Sequence, residues 1–242
     1  MSKHFLAASI GLLLVGSVSA AGLSTNPDAI RTNHEHPAPF GNFALTQSGV
    51  LTVTAGNSVS CNAGAANSFN HAENSYYRRF NLDGNFAATG TVTIASVDIG
   101  IEQATGTGGT QPITVNLYAI PNAATLTIAN LGTAIATANV AVADQVGTLL
   151  NVPIAGALDA LTSDLVVEVL TPDGQVTQNT FFIGSNATAS INPAGAPSYI
   201  RAPTCSLTEP ATTASINFPN MNIVMVVNAT TLPVSLQNFS VD

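Results

Sequence analysis

Residues 89–103 read TGTVTIASVDIGIEQ, and this stretch decides the fold class. Apolar residues hold one parity at Val92 and Ile94 and the opposite parity over 97–101. Alternation of apolar and polar residues is the pattern of a half-buried β-strand. Because successive side chains point to opposite faces of a strand, both apolar sets reach one core only if the strand bulges or bends near Ala95 and Ser96.

The same short-period pattern continues along most of the chain. In PITVNLYAIP, Ile113, Val115 and Leu117 fall on one face of a strand. The late stretch MNIVMVVNAT is apolar on both parities, which is typical of a central strand covered on both sides. Many short strands separated by turn residues predict an all-β fold, a single jelly-roll-like β-sandwich over residues 42–231. The other strand-like stretches are TAIATANVAVAD, TLLNVPIAG, SDLVVEVL and NTFFIGSN.

The N-terminal residues have the organisation of a secretory signal peptide. Lys3 gives a short basic start, an apolar run follows over 5–15, and small residues end at Ala20. This pattern predicts a signal peptide over residues 1–20 and export of the chain that follows. Residues 21–41 are rich in proline and aperiodic, so we expect a flexible or extended lead-in there. Residues 232–242 read as one more strand or a short tail.

The charge of the chain excludes several classes of partner. Lys3 is the only lysine, so removal of residues 1–20 lowers the formal net charge from −8 to −9. A protein this acidic, with so few cations, lacks the basic surface that nucleic acids and anionic membranes require. No apolar run is long enough to span a bilayer comfortably. We therefore expect a secreted or cell-surface protein with no nucleic-acid partner and no membrane span.

The chain has two cysteines, Cys61 and Cys205. In an oxidising extracellular compartment, an isolated pair of cysteines is usually joined. We therefore expect a disulfide bond that closes most of the domain into one loop. Such a bond stabilises the fold by about 4–5 kcal/mol on the loop-entropy model.

Several segments, taken as a set, resemble a β-sandwich module of bacterial secreted proteins. The module occurs alone or appended to extracellular peptidases and surface proteins. The resemblance covers roughly residues 59–229. It implies a jelly-roll-like fold and an accessory role, and it includes no catalytic motif. The segments are SCNAGAANSFNHAENSYYRRFNL, VDIGIEQATGTGGTQPITVNLYAIP, DLVVEVLTPDG, FFIGSNATA with PSYIRAPTC, and FPNMNIVMVVN.

Residues 73–82, ENSYYRRFNL, place two arginines side by side in a predicted strand. Strand alternation puts Arg78 on the apolar parity, and it turns Tyr77 and Arg79 to the opposite face. A buried guanidinium needs a carboxylate or several carbonyl groups. We therefore predict a structural ion pair for Arg78, with Tyr77 and Arg79 as candidates for ligand contact. The candidate partners of Arg78 are Glu73, Asp98, Glu102 and Glu168.

Catalytic signatures are absent from the sequence, which contains no G-x-S-x-G, H-E-x-x-H or C-x-x-C motif. We therefore expect a protein that is not an enzyme. A hydrolase that uses His71 with Glu73 and a nearby serine stays open as one alternative. A weak glycan-binding module that uses Tyr76, Tyr77 and Arg79 is another, although the chain has no tryptophan to serve as a sugar-binding platform.

Two Asp-Gly turns offer oxygen ligands of the kind that calcium prefers. Asp83 and Asn85 lie in NLDGN, and Asp173 lies in LTPDGQ. Asp-Gly is also ordinary turn chemistry that needs no ion. We expect no cofactor, with a structural calcium at these loops as the open alternative.

These patterns together indicate a secreted, non-catalytic structural or interaction module at or beyond the bacterial cell surface. Its partner is expected to be an extracellular protein or a glycan. The sequence does not distinguish between the two.

Overall fold

A computed structural model describes residues 21–26, 43–62 and 70–231. These ranges are mostly strand, which confirms the all-β prediction. The strands are β1 (Gly22–Thr25), β2 (Phe43–Thr46), β3 (Val59–Asn62), β4 (Asn74–Phe80), β5 (Thr91–Thr105), β6 (Thr110–Pro121), β7 (Ala136–Ala143), β8 (Gln145–Asp159), β9 (Ser163–Thr171), β10 (Thr180–Ile183), β11 (Ser185–Asn186), β12 (Tyr199–Ala202), β13 (Leu207–Thr212), β14 (Asn222–Ile223) and β15 (Met225–Thr231). The helices are α1 (Leu82–Phe86), α2 (Ile128–Leu131) and the 3-10 turns Pro203–Cys205 and Thr213–Ile216.

The first large sheet, sheet 1, is built on the long strand β5. β8 pairs with one edge of β5 over nearly its full length. β15 and β10 share the other edge, with β15 along the first part of β5 and β10 along the last part. β2 pairs with the free edge of β15, and all of these pairings are antiparallel.

The second large sheet, sheet 2, has six antiparallel strands in the order β13-β12-β4-β9-β6-β7. β7 lies at one edge of sheet 2, and β8 lies at an edge of sheet 1. Asp144 alone separates these two strands in the chain. The chain therefore crosses from one sheet to the other along one side of the sandwich.

The two sheets enclose one main hydrophobic core between their inner faces. Ile113, Val115 and Leu117 all belong to it, as the alternation in PITVNLYAIP predicts. Full burial of each such side chain contributes roughly 1.5–3 kcal/mol. Sheet 1 supplies Ile94, Val97, Ile99, Ile101, Val152, Met225 and Val227, and sheet 2 supplies Tyr76, Phe80, Leu165, Val167, Val169 and Ile200.

The predicted irregularity in β5 is confirmed. The pairing of β5 with β8 shifts register between Ile94 and Ser96, and its pairing with β15 shifts at the same place. Val92 and Ile94 before the shift, and Val97 after it, are all fully buried. The bulge thus turns both apolar parities of the strand toward one core.

β15 is buried on both parities, which confirms the prediction for MNIVMVVNAT. Its neighbour β5 is covered on the outer face by the segment between β2 and β3. There, the N–H of Gly56 donates to the Glu102 carboxylate at 3.0 Å. The N–H of Thr54 donates to the carbonyl of Ser185 at 2.8 Å.

Cys61 and Cys205 form the predicted disulfide bond, with their Cα atoms 6.0 Å apart. It ties β3 to the turn that precedes β13. β1 also pairs with β3 and places Leu23 opposite Cys61. Of the two forms expected for the lead-in, flexible or extended, Gly22–Thr25 takes the extended one, because backbone pairing with β3 fixes these residues as a strand.

Three predicted segments fall partly or wholly outside the described residues. They are the signal peptide over 1–20, the part of the 21–41 lead-in that follows residue 26, and the C-terminal strand or tail over 232–242. In the part of the chain that is described, no helix is long and apolar enough to cross a membrane.

Candidate functional site

Strand β4 buries the first of its two arginines completely. Arg78 lies on the same core-facing parity as Tyr76 and has no exposed area. Its guanidinium donates to the carbonyl oxygens of Ala196 at 3.0 Å and Gln47 at 3.3 Å, and to Ser190 Oγ at 3.1 Å. Burial lowers the pKa of Arg78 from 12.5 to about 10. The inward parity is confirmed, but the predicted ion pair is wrong, because neutral oxygens take the place of the carboxylate.

Two of the four carboxylates proposed for Arg78 have other structural partners. Glu73 pairs with Arg201 at 3.0 Å near the surface. Glu102 is buried on the outer face of sheet 1 and accepts the backbone N–H groups of Gly56 and Ser58, each at 3.0 Å. Burial raises the pKa of Glu102 even though both N–H bonds favour the charged form.

The third carboxylate, Asp98, is the centre of a polar cluster on the outer face of sheet 1. It accepts from Asn151 Nδ2 at 2.6 Å and from Asn228 Nδ2 at 2.8 Å. Both amides also donate to Ser96 Oγ at 3.1 Å. The cluster joins β5, β8 and β15, so these groups hold three strands in register.

The outer face of sheet 2 is covered around Tyr77, which has no exposed area. Leu126 and Leu131, from the connection between β6 and β7, form a buried cluster with Tyr77. Burial raises the pKa of the Tyr77 phenol. The fourth carboxylate, Glu168, lies on this face and accepts the hydroxyl of Tyr118 at 2.8 Å.

Arg79, on the same covered face, makes the ion pair that was expected of Arg78. Its Nε lies 2.6 Å from Asp164 Oδ2, and Asp164 also accepts from Asn81 Nδ2 at 2.9 Å. The side chain of Arg79 is 20% exposed and that of Asp164 only 2%. Arg79 Nη1 also donates to the carbonyl oxygen of Ala124. Arg79 is therefore mainly a structural residue.

The two tyrosines proposed for glycan binding are not accessible to a sugar. Tyr76 and Tyr77 have no exposed area to stack on a sugar. Tyr199, the cross-strand neighbour of Tyr77, is the tyrosine that reaches a cleft near Arg79. This cleft has a volume of about 120 Å³, and its lining residues are Gln47, Arg79, Asn81, Asn85, Pro193, Ala196, Pro197 and Tyr199.

The residues proposed for calcium are not brought together. Asp83 and Asn85 lie in α1, which follows the end of β4, whereas Asp173 follows the end of β9. Because β4 and β9 are antiparallel, these ends are at opposite extremes of the sheet, which rules out an ion shared by both aspartates. Asp83 accepts from the N–H of Gly84 at 2.7 Å, so its loop is capped locally. Among the described residues, no group of three or more His, Cys, Asp and Glu side chains is arranged to hold a metal.

His71 is completely buried and ties a surface loop to the sandwich. Its Nδ1 lies 2.9 Å from the carbonyl of Asn179, so Nδ1 carries the proton and donates. Its Nε2 then accepts from the side-chain amide of Gln111 at 3.2 Å. Burial lowers the pKa of His71, which keeps the ring neutral.

The loop that His71 holds, residues 172–179, connects β9 to β10. The N–H of Gly174 donates to the carbonyl of His71 at 2.9 Å, and the N–H of His71 donates to the carbonyl of Asn179 at 3.1 Å. Gly174 packs so closely on the imidazole that a Cβ there would lie 2.6 Å from His71 Cε1. Thr107 donates its N–H to Asn179 Oδ1 at 3.0 Å. The loop is therefore fixed from two sides.

This fixed loop carries Val176, which is 94% exposed. Val176 stands beside a cavity of about 580 Å³ between the loop and the start of β6. A second hollow of about 350 Å³ continues along β6 and β7, and the two share Pro112 and Ala141. We call the joined hollows the β6–β7 groove. Its lining residues are Thr107, Thr110, Pro112, Ile113, Thr114, Asn139, Val140, Ala141, Pro172, Val176, Thr177, Gln178 and Asn179.

Sequence reasoning missed the residues that shape this groove. Val176 is a single apolar residue in a polar loop, and a single exposed apolar residue is normally unremarkable. The sequence offered one signal for the fixed loop: His71 lies within the domain, and a buried histidine needs hydrogen-bond partners. Asp164 was missed because it lies 85 positions from Arg79 along the chain.

Comparison with known proteins finds no matching family model, no matching curated protein and no matching solved structure. The resemblance to the bacterial accessory module therefore stays a prediction that rests on the quoted segments alone.

Proposed function

We propose that this chain is a secreted, non-catalytic interaction module that acts at or beyond the bacterial cell surface, with the β6–β7 groove as its contact surface. The observation that carries the proposal is the hollow of about 580 Å³, which is walled on one side by a fixed loop that holds Val176 94% exposed at its rim. Binding sites are usually concave surfaces that combine apolar side chains with polar groups that fix the orientation of what binds.

The rigidity of the loop strengthens the argument from Val176. A mobile loop can turn an apolar side chain away from water at little cost. Here, the bonds among His71, Gly174 and Asn179 hold the loop in place, and Val176 stays exposed. A surface that is fixed before binding loses little freedom on association, and sites on rigid supports keep their geometry.

The chemistry of the groove indicates the class of partner. Its lining residues include no Asp, Glu, Lys or Arg. Proline, alanine and valine carbons alternate with threonine hydroxyls and side-chain amides. We infer that the partner is an extracellular protein that inserts an uncharged, apolar side chain.

The titratable groups support a non-catalytic role. Both ring nitrogens of His71 are used in structural hydrogen bonds. Glu73 pairs with Arg201 rather than with His71. Asp164 and Glu102 are likewise committed to partners that hold strands or loops in place. Catalysis by any of these groups requires that a structural contact first be broken.

The test is binding of the labelled chain, starting at residue 21, to intact cells of the producing bacterium. We expect saturable binding that Val176→Asp weakens at least about tenfold, which corresponds to about 1.4 kcal/mol. Leu161→Asp is the matched control, because Leu161 is 57% exposed at a distant turn. Absence of saturable binding, or an equal loss in both variants, would contradict the proposal. Intact-mass measurement on protein from the culture medium checks secretion separately.

A further inference from the structure

β7 is an edge strand that its own fold leaves open. β6 pairs with one side of β7 over residues 136–143. In the described ranges, no strand pairs with its other side. The core-facing residues Ala136, Ala138 and Val140 are only partly buried, as expected where a sheet ends.

The alternation of hydrogen-bonded and non-bonded pairs between β6 and β7 shows which backbone groups of β7 do not bond to β6. The N–H of Asp144 donates to the carbonyl of Gly109 at 3.1 Å, which makes this a bonded pair of the antiparallel ladder. Bonded and non-bonded pairs alternate. Pro112, which has no N–H to donate, accordingly lies opposite Ala141 at a non-bonded position. Thr137, Asn139 and Ala141 therefore direct their backbone N–H and C=O groups away from β6.

The opposite edge of sheet 2 is protected, and β7 is not. β13 contains Glu209 and Pro210, a charge and a proline of the kind that blocks pairing at sheet edges. β7 reads ATANVAVA, with no charge and no proline over eight residues. An open, uncharged edge of this length is a template for a further strand.

We propose that β7 pairs with β7 of a second copy of this chain across a two-fold axis, so that sheet 2 continues from one molecule into the next. The hydrogen-bond phase supports a second copy as the occupant, because the outward groups of residues 137–143 match the same groups of a second copy about a two-fold axis at Val140. With a formal net charge of −9 from residue 21 onward, two copies repel each other over most of their surface. Residues 135–143 form an uncharged segment where that repulsion is small.

Antiparallel pairing of residues 137–143 also keeps the nearest carboxylates apart. In that register, Thr137 faces Ala143 and Asn139 faces Ala141 of the other copy. Asp144 faces Ala136, so the two Asp144 residues lie about 27 Å apart along the strands. This exceeds the Debye length of about 8 Å at physiological salt. The pairing adds about eight backbone hydrogen bonds between neutral residues.

Sedimentation of the chain from residue 21 tests this proposal, over concentrations from about 1 µM to 1 mM. We expect a monomer–dimer equilibrium for the wild type. Ala141→Pro removes an outward N–H without removing a bond to β6, and it should weaken the dimer at least about tenfold. Asn139→Lys puts a lysine on each copy with their Cα atoms about 8 Å apart across the axis, and because lysine at a sheet edge opposes pairing, it should have the same effect.

Thr208→Lys is the matched control, because it adds the same charge to the other edge of sheet 2, on β13. It should leave the dimer intact. Thermal melts establish that each variant is folded. If the proline variant does not fold, Asn139→Lys still tests the proposal, because it retains every backbone N–H donor. A wild type that stays monomeric throughout, or a dimer that survives both β7 variants, would overturn the proposal. A dimer lost only in Thr208→Lys would also overturn it.

Discussion

Replacement of Arg79 by methionine should destabilise the protein more than the same replacement of Arg78, although Arg78 is the more deeply buried residue. Arg79→Met leaves Asp164, whose side chain is 2% exposed, with Asn81 as its remaining side-chain donor. Removal of one partner from a buried ion pair costs about 3–5 kcal/mol. Because Arg79 is itself 20% exposed, we expect the lower end, about 3 kcal/mol.

Arg78→Met removes a buried charge that has no carboxylate partner. The lost bonds are those to Gln47, Ala196 and Ser190, together worth about 4.5 kcal/mol at the lower end of the range for bonds to a charged group. The folded-state pKa of Arg78 falls from 12.5 to about 10. Burial disfavours the charged form, as the lowered pKa shows, so removal of the charge recovers part of this loss. The carbonyl of Gln47 keeps its bond from the N–H of Ile191, and Ser190 Oγ keeps its bond to Asn222 Oδ1. The net cost should therefore stay below that of Arg79→Met.

Urea denaturation at pH 7, with the disulfide bond intact, measures both variants. We expect equal m-values, so that differences in midpoint report stability alone. The double variant Arg79→Met with Asp164→Asn should recover most of the loss, because it removes the stranded carboxylate. A larger cost for Arg78→Met than for Arg79→Met, or no recovery in the double variant, would refute this account of the two arginines.

Three further predictions concern stability. Burial lowers the folded-state pKa of His71 below its ordinary value of 6.5, so the unfolded chain takes up the proton first as the pH falls. The free energy of unfolding of the wild type should therefore decrease as the pH drops below 6.5. Urea melts at two pH values should show a smaller decrease for His71→Gln, and an equal decrease in both proteins would contradict this origin. Joint replacement of Cys61 and Cys205 by serine should cost about 4–5 kcal/mol in thermal melts, and a cost below about 1 kcal/mol would show that the bond contributes little. Gly184→Ala would place a Cβ 2.5 Å from the facing backbone and should cost about 3 kcal/mol. Gly22→Ala meets nothing within 4 Å and is the control; similar midpoints for the two glycine variants would contradict the predicted clash.

Local patterns predicted the strands well because successive side chains of a strand point to opposite faces, so a half-buried strand alternates apolar and polar residues. The change of parity near Ala95 and Ser96 was enough to place the bulge in β5. Alternation also placed Arg78 inside the sandwich. The two cysteines predicted their own bond, because the chain contains no other pairing.

Contacts between distant segments could not be predicted in the same way. Alternation says which face of a strand a residue is on, but not whether another segment covers that face. Tyr77 was expected at the surface, and Leu126 and Leu131 cover it. Arg79 is paired for the same reason, because the covered face also holds Asp164.

Site-specific photo-crosslinking at position 176 tests the proposed contact surface most directly. The chain carries a benzophenone amino acid in place of Val176 and is irradiated on intact cells of the producing bacterium. We predict a covalent adduct of defined mass that excess unlabelled wild-type chain suppresses and that the same probe at Leu161 does not form. Equal adducts from both positions, or no adduct from position 176 under conditions where the chain binds, would contradict the assignment of the β6–β7 groove as the interaction site.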